Sequence, residues 1–310
     1  MPSLFGRIQS YLARRHLIDQ GGGAEDTLML AGSGRSGTTW VSEVIDYRGD
    51  LRTIFEPLHP VHVPEFEAFG WCKYLRADGA NARFLAPVRD VIEGHVRGEW
   101  VDGQNRRFLA KKRLIKIIRG NLLLPWLLKK FPELKIVMLV RHPAAVALSI
   151  QRLKWPTSMN TYLDQPELMF DHLTPFESKL RAVSDPFEKN IFAWCIQQLV
   201  PLRDLAPGQV HPVFYESLCL DPRAEIKAMF DFLGQAYDDT VLDALQRPSQ
   251  VAQTTSAVNT GGDLLNTWRK HVTDEQVAAS NRILKLFGLH GLYGEDSVPQ
   301  LTGKALFEAF

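Results

Sequence analysis

A glycine-rich run at residues 32–40 contains the residue types that bind phosphate. Gly32 and Gly37 stand five positions apart, and hydroxyl side chains and an arginine surround the second of them. Because glycine lets the backbone approach an anion closely, and the first N–H groups of a helix point toward one, this spacing predicts a phosphate-binding loop. The expected phosphate ligands are Gly34, Arg35, Ser36, Gly37, Thr38, Thr39 and Trp40. A glycine-rich turn without a ligand is the alternative, which an apolar strand before the run and a helix after it disfavour.

The loop departs from the nucleoside-triphosphatase pattern Gly-x-x-x-x-Gly-Lys-[Ser/Thr]. In that pattern the lysine reaches the terminal phosphates, and Thr38 stands at its position here. Those proteins also hold magnesium with a carboxylate on a later strand, whereas the next strongly apolar run of this chain ends in Arg141. The sequence therefore predicts a site for one 5′-phosphate, with a metal-dependent kinase as the closest enzymatic alternative.

Arg141 and Ser149 form a second candidate phosphate site. Arg141 follows the apolar run at residues 135–140, at the carboxyl end of a predicted parallel strand, where open α/β sheets bind ligands. Ser149 lies two turns into the helix that begins at Pro143. A guanidinium and a hydroxyl can hold a second phosphate together. For this pair alone, local pairing of Arg141 and a surface position for Ser149 are the favoured alternative.

Strands and helices alternate along the chain. Short apolar runs at residues 27–31, 114–118, 135–140 and 210–215 predict strands, and Pro212 places the last of them near an edge or a bulge. Helical patterns occupy residues 38–45, 122–131, 187–205, 222–233 and 274–287, together with the segment from Pro143 onward. This alternation predicts an α/β fold of the P-loop-containing three-layer type, with a mainly parallel central sheet flanked by helices.

In this order, the two phosphate motifs resemble the sulfotransferase family that uses 3′-phosphoadenosine 5′-phosphosulfate (PAPS). In that family a loop like residues 34–40 holds the 5′-phosphosulfate, and a strand-end arginine with a serine eight residues later, here Arg141 and Ser149, holds the 3′-phosphate. Residues 55–59, 114–119, 213–218 and 266–270 are similar to further segments of the family, so that the resemblance covers about residues 27 to 290. It implies that Tyr215, Trp268 and Arg269 also contact the nucleotide.

The same resemblance implies a branch and an acceptor. Cytosolic small-molecule sulfotransferases usually have lysine at the position of Arg35, whereas the Phe-Glu-Pro sequence at residues 55–57 is similar to the carbohydrate and tyrosyl-protein branches. The expected function is metal-free transfer of a sulfuryl group to a carbohydrate or glycolipid hydroxyl, in a soluble bacterial-type member. A non-catalytic nucleotide-binding module is the alternative from another class.

Glu56 is the expected general base, with His59 and His62 in reserve. The alternative for Glu56 is a structural carboxylate that pairs with Arg35 or Lys116. Those two cations are expected to stabilise the charge that develops on the bridging oxygen and the 5′-phosphate. Three tryptophans could stack on adenine or a sugar ring, although the first two are more typical of a core: Trp40, Trp194 and Trp268.

Composition limits the remaining possibilities. The 36 Lys and Arg against 35 Asp and Glu give a net charge of +1, which does not favour nucleic acid as a partner. The three widely spaced cysteines favour a reducing compartment, and no apolar run is long enough to span a membrane, so a cytoplasmic location is predicted. We expect an amphipathic extension at residues 1–23 that could rest on a membrane or a partner, one sulfotransferase domain at residues 24–295 and a tail at residues 296–310. The oligomeric state is open.

Overall fold

The computed structural model describes residues 17–105, 107–247, 263, 265–294 and 296–310. Its central sheet has five strands, all parallel, in the order β2-β3-β1-β4-β5. The strands are β1 (Thr27–Gly32), β2 (Arg52–Phe55), β3 (Arg113–Ile117), β4 (Lys135–Val140) and β5 (His211–Phe214). The predicted α/β fold with a mainly parallel sheet is confirmed. Two further two-residue strands, Ile18–Asp19 and Leu109–Ala110, pair with each other beside this sheet.

Both faces of the sheet are covered, which explains why its central strands read as continuous apolar runs. All six residues of β1 are buried. Met29 and Ala31 pack into the larger hydrophobic core on one face, whereas Leu28 and Leu30 pack into the smaller core on the other.

The described residues form fourteen α-helices, of which those at residues 38–45, 124–130, 143–152, 186–204, 222–233 and 274–286 were predicted from the sequence. They are α1 (Thr38–Ile45), α2 (Ala82–Ile92), α3 (Glu99–Asp102), α4 (Leu124–Lys130), α5 (Pro143–Arg152), α6 (Asn160–Leu163), α7 (Pro166–Leu168), α8 (Glu177–Ala182), α9 (Pro186–Asp204), α10 (Tyr215–Leu220), α11 (Pro222–Leu233), α12 (Val241–Gln246), α13 (Asp274–Leu286) and α14 (Gly303–Glu308). The predicted helix at residues 122–131 is a 3₁₀ turn, Asn121–Leu123, followed by α4. Among the described residues, no helix has both the length and the apolar character to cross a membrane.

The predicted strands are confirmed to within one residue at either end, and Pro212 lies on the edge strand β5, as expected. A bounded strand at β2 was not predicted. After Arg52, which is fully buried, β2 contains only Thr53, Ile54 and Phe55. So short a run does not stand out as an apolar strand in the sequence.

Buried ion pairs join the amino ends of β2 and β3. The Arg52 guanidinium contacts Asp19 at 2.8 Å and Asp102 at 2.9 Å, and Arg113 contacts the same Asp19 oxygen at 2.7 Å. All four side chains are at most 4% exposed. These pairs compensate one another's charge at the sheet edge opposite the phosphate loop, so their role is to hold the sheet together.

The structure describes the predicted C-terminal tail but not most of the predicted N-terminal extension. Residues 1–16, which carry most of the predicted amphipathic extension, lie outside the described residues. Beyond residue 295, Leu306 and Phe307 of α14 are buried in the larger core. The segment expected to be a tail therefore contributes apolar contacts to the fold.

Candidate active site

The phosphate loop connects β1 to α1 by a tight turn. The helix begins at Thr38, directly after Gly37, whose φ of 104° lies in the left-handed region that glycine tolerates. A Cβ on Gly37 would stand 2.9 Å from Cδ2 of Tyr215. The Ser36 hydroxyl donates to the Ser33 carbonyl at 2.7 Å and fixes the turn from inside. The loop therefore has the strand, turn and helix context that phosphate binding requires.

Arg35 occupies the top of this turn with φ at 71°, which is uncommon for a residue with a side chain. Its Nε donates to Oγ of Ser149 at 3.1 Å. Arg141 donates from Nη1 to the Arg35 carbonyl at 3.5 Å, and its guanidinium lies 4.0 Å from the ring centre of Tyr215. The two phosphate motifs predicted from sequence thus meet in one place.

These two arginines form an uncompensated positive site. Among the residues that the structure describes, neither guanidinium has a carboxylate within 4.0 Å. Burial and the nearby charge of Arg141 lower the pKa of Arg35. Two half-buried cations that repel each other are stabilised by an anion placed between them, so the site suits phosphate or sulfate groups.

The strand end that carries Arg141 is held from behind. The N–H of His142 donates to Glu216 Oε1 at 2.9 Å, and the Tyr293 hydroxyl donates to Glu216 Oε2 at 2.7 Å. Burial raises the pKa of Glu216, and hydrogen bonds to its carboxyl oppose that shift. The Arg141 carbonyl accepts from Nε1 of Trp194 at 3.0 Å. These bonds fix the direction in which the Arg141 side chain leaves β4.

Trp268 and Arg269 lie behind the same strand end. The Trp268 ring stacks on His142 with centroids 4.2 Å apart, and its Nε1 donates to the Ser297 hydroxyl at 3.1 Å. Burial lowers the pKa of His142 to about 3, so the ring inside this stack is neutral. Arg269 donates to Ser297 at 3.4 Å, and its guanidinium lies 5.2 Å from the Trp268 ring centre. The segment therefore closes the back of the Arg141 site.

A second cluster lies where β2 and β3 end. Glu56, with φ at 42°, follows β2 and donates its N–H to the Lys116 carbonyl at 2.8 Å. Its Oε1 accepts from Lys116 Nζ at 3.1 Å and its Oε2 from Arg119 Nη1 at 2.6 Å. Lys116 is 2% exposed, and burial, opposed by the Glu56 charge, lowers its pKa. Lys116 therefore lies inside the protein, with its ammonium paired to Glu56.

The two clusters belong to one site. A Cβ on Gly34 would stand 3.6 Å from Cδ1 of Ile118, which lies between Lys116 and Arg119 in the sequence. The positive charge of Arg35 also contributes to the lowered pKa of Lys116. The phosphate loop and Glu56 therefore lie near each other at the carboxyl edge of the sheet, where parallel α/β sheets bind ligands.

The reserve histidines pack beside Glu56. His59 is buried, and its Nδ1 accepts a hydrogen bond from the N–H of Val61 at 3.2 Å. Burial first, and then the positive charge of Arg119, lower the pKa of His59 to about 4. His62 is exposed and stacks on Trp100 with centroids 3.8 Å apart. At neutral pH the His59 ring is neutral and carries its proton on Nε2, because Nδ1 is an acceptor.

Two of the predicted tryptophans lie in the hydrophobic core, and two residues near the candidate site were not predicted. Trp40 and Trp194 are buried, as the core interpretation expected. Arg119 was not assigned to the site, although its position three residues after Lys116 was the available signal. Trp155 was also missed: it is 41% exposed, and a Cβ on Gly34 would stand 3.2 Å from its ring. No local pattern indicates that contact.

Among the described residues, no group of three or more histidine, cysteine, aspartate and glutamate side chains could hold a metal ion. The ligating chemistry at the carboxyl edge consists of guanidinium, ammonium, hydroxyl and backbone N–H groups around one carboxylate. These groups fit a nucleotide with phosphate or sulfate groups.

Comparison with known proteins agrees with this chemistry. A family model described as the sulfotransferase domain matches residues 25–285, and the chain therefore belongs to the sulfotransferase family. This assignment confirms the predicted enzyme, a sulfotransferase with PAPS as co-substrate, and does not extend to the predicted branch.

Three solved sulfotransferase structures align with most of the chain. The sulfotransferase domain from the curacin biosynthetic pathway is 15% identical over 87% of this chain and 99% of that chain, with a TM-score of 0.47. The sulfotransferase domain from the Synechococcus olefin synthase is 17% identical over 84% of this chain and 94% of that one, with a TM-score of 0.46. A mouse sulfotransferase complexed with PAP is 15% identical over 89% of this chain and 88% of that one, with a TM-score of 0.44.

Proposed function

We propose that this sulfotransferase transfers the sulfuryl group of PAPS to a hydroxyl of a carbohydrate or glycolipid, with Glu56 as the general base. The observation that carries the donor half of the proposal is the pair Arg35 and Arg141. Both are half-buried, both lack a carboxylate partner among the described residues, and Ser149 of α5 accepts a hydrogen bond from Arg35.

The donor site divides into two parts. The loop from Gly34 to Trp40, with Arg35, would hold the 5′-phosphosulfate at the start of α1. Arg141 and Ser149 would hold the 3′-phosphate, with Tyr215 supporting the Arg141 guanidinium from below. Trp268 and Arg269 would complete the wall of the 3′-phosphate site through His142.

Glu56 is favoured over His59 as the base by the hydrogen bonds around them. A carboxylate has about four acceptor positions, and Lys116 and Arg119 use one on either oxygen, so positions remain for an acceptor hydroxyl. Neutral His59 has no such position, since Nδ1 is engaged with Val61 and Nε2 carries the proton. The structural alternative for Glu56 is a purely architectural ion pair with these two cations.

PAPS, when bound, supplies the activated sulfuryl group. The chain's own groups would orient the reaction and balance its charge. Lys116 faces Glu56 on one side, and its charge interacts with that of Arg35 on the other, so it can stabilise negative charge near the transferred group. Arg119 would hold the Glu56 carboxylate at a fixed angle, which places the base against the loop.

An aromatic wall beside Glu56 supports a carbohydrate acceptor. Trp71 is 42% exposed, contacts His59, and carries the Arg119 guanidinium 4.5 Å from its ring centre. Trp100 donates to the Glu56 carbonyl at 3.2 Å and stacks with His62. Rings with one exposed surface and one polar edge suit the mixed apolar and hydroxyl surface of a sugar.

Two experiments test the proposal. Calorimetry should show that PAP, the 3′-phosphoadenosine 5′-phosphate product, binds more tightly than ATP with or without magnesium. Tighter binding of magnesium–ATP would overturn the donor assignment. Transfer of labelled sulfate to a panel of glycans, glycolipids and phenols then tests the acceptor, and transfer confined to phenols would exclude a carbohydrate acceptor.

We also propose a cytoplasmic location, which the three free cysteines support.

A further inference from the structure

A cavity of about 380 Å³ opens beside the active site, between the segment that follows α5 and the α8 and α9 helices. Its polar lining comes from Thr157, Ser158, Asn160, Arg181 and Lys189, and the rest is aliphatic. No acidic side chain is among the described residues that line it. A volume of this order suits a monosaccharide-sized group.

The cavity adjoins the donor loop through Trp155. The Trp155 ring covers Gly34 of the phosphate loop, and Thr157 at the cavity edge follows only two residues later. Two residues span at most about 7 Å, so the cavity edge and the loop are close neighbours. Thr157 also contacts Asn190 at 2.5 Å, and Asn190 donates to the Ala147 carbonyl of α5, the helix that carries Ser149.

Lys189 gives the cavity its charge. It is half-buried, and among the described residues no carboxylate lies within 4.0 Å of its ammonium. Arg181, the other cation of the lining, is exposed and pairs with Glu177 at 2.8 Å. A partly buried ammonium without a carboxylate partner is stabilised when an anion enters the cavity, because the anion offsets the lost hydration.

We propose that this cavity binds an anionic group of the acceptor, such as the carboxylate of an acidic sugar, with Lys189 as its principal contact. The inference rests on the proposed function and adds to it the charge of the acceptor. The donor sulfuryl site and the Lys189 cavity would then hold two ends of one acidic glycan. Trp155 stands between them.

The test compares matched probes on the full-length protein saturated with PAP. The 4-nitrophenyl glucuronide and galacturonide carry a carboxylate that the corresponding glucoside and galactoside lack. Calorimetry should show at least one uronide binding about tenfold more tightly than its neutral partner, as one charge-assisted hydrogen bond provides. Lys189→Met should abolish that preference, while Lys179→Met, which removes the same charge from an exposed position outside the cavity, should retain it.

Three results would overturn the inference: equal binding of charged and neutral probes, a preference that persists in Lys189→Met, or no binding of any probe. Failure of the proposed function is separate, because it appears as loss of PAP binding by the wild-type protein or as transfer of labelled sulfate to phenols alone. Rising ionic strength should weaken uronide binding more than glucoside binding, which a purely structural role of Lys189 would not produce.

Discussion

Arg35 Nε donates to Ser149 Oγ at 3.1 Å, a bond between residues 114 positions apart. It connects the phosphate loop after β1 to the helix after β4, and so joins the two halves of the proposed donor site. Neighbouring strands β1 and β4 bring the two segments together, because parallel strands present their carboxyl ends at one edge. The fold therefore holds the positive groups of the two motifs side by side.

Arg141→Met should weaken PAP binding by about 10- to 100-fold, because a hydrogen bond to a charged group contributes ~1.5–3 kcal/mol. Binding of adenosine 5′-monophosphate, which lacks the 3′-phosphate, should change little. Calorimetry with both nucleotides checks this, with Lys111→Met as an exposed control for the loss of one positive charge. Equal losses for the two nucleotides would argue against the 3′-phosphate assignment.

Glu56→Gln should lower turnover by about 10²- to 10⁴-fold, the range for loss of a general base, while PAP affinity stays near the wild-type value. Single-turnover assays with labelled PAPS measure the first quantity and calorimetry the second. His59→Asn is the matched comparison and should retain most of the turnover, since neutral His59 already uses Nδ1 to accept from Val61. A collapse of turnover in His59→Asn with normal turnover in Glu56→Gln would reverse the roles.

Gly37→Ala should destabilise the fold and weaken PAP binding. The left-handed backbone alone costs ~1–2 kcal/mol for alanine, and the new Cβ would also meet Tyr215 at 2.9 Å. Gly49→Ala is the control, because Gly49 has φ at 66° but open space around it. Chemical denaturation should show that Gly37→Ala lowers the free energy of unfolding by about 1–3 kcal/mol more than Gly49→Ala does, because overpacking adds this cost. Equal losses would mean that Tyr215 moves aside freely.

Asp19→Asn should destabilise the protein in a pH-dependent way. Burial raises the pKa of Asp19, but hydrogen bonds from Arg113 and Arg52 outweigh this effect and leave the pKa below its ordinary value. A lowered pKa contributes stability that is present above the unfolded value, ~3.9, and is lost as pH falls through the folded value. We expect Asp19→Asn to lower the free energy of unfolding by about 3–5 kcal/mol at pH 7, and this difference should shrink below about pH 4. Urea unfolding across this range measures it, and a pH-independent difference would contradict the ion-pair account.

The strands near the centre of the sheet could be predicted because they are buried on both faces. β4 reads as an unbroken apolar run in the sequence, and its predicted bounds match the structure. β2 differs, since Arg52 at its start is buried by pairing with Asp19 and Asp102, which lie 33 and 50 residues away. A local hydrophobic pattern cannot contain partners at that separation.

In the candidate site, too, local motifs could be predicted from the sequence, whereas contacts between distant residues could not. The phosphate loop is a contiguous motif, and its glycines and hydroxyls could be assigned from spacing alone. Arg119 meets Glu56 across 63 residues, and the contact depends on β2 and β3 being neighbours. The low pKa of His59 depends on burial and on Arg119, so it too required the assembled structure.

The position of Tyr293 in the sequence has a consequence for when the candidate site is completed during translation. The Tyr293 hydroxyl donates to Glu216, which in turn accepts from the N–H of His142, so the support behind Arg141 includes a residue that follows it far along the chain. Synthesis proceeds from the amino end, and until residue 293 has emerged the carboxylate behind the strand lacks one of its donors. We therefore expect a product that terminates before residue 293 to bind the nucleotide weakly.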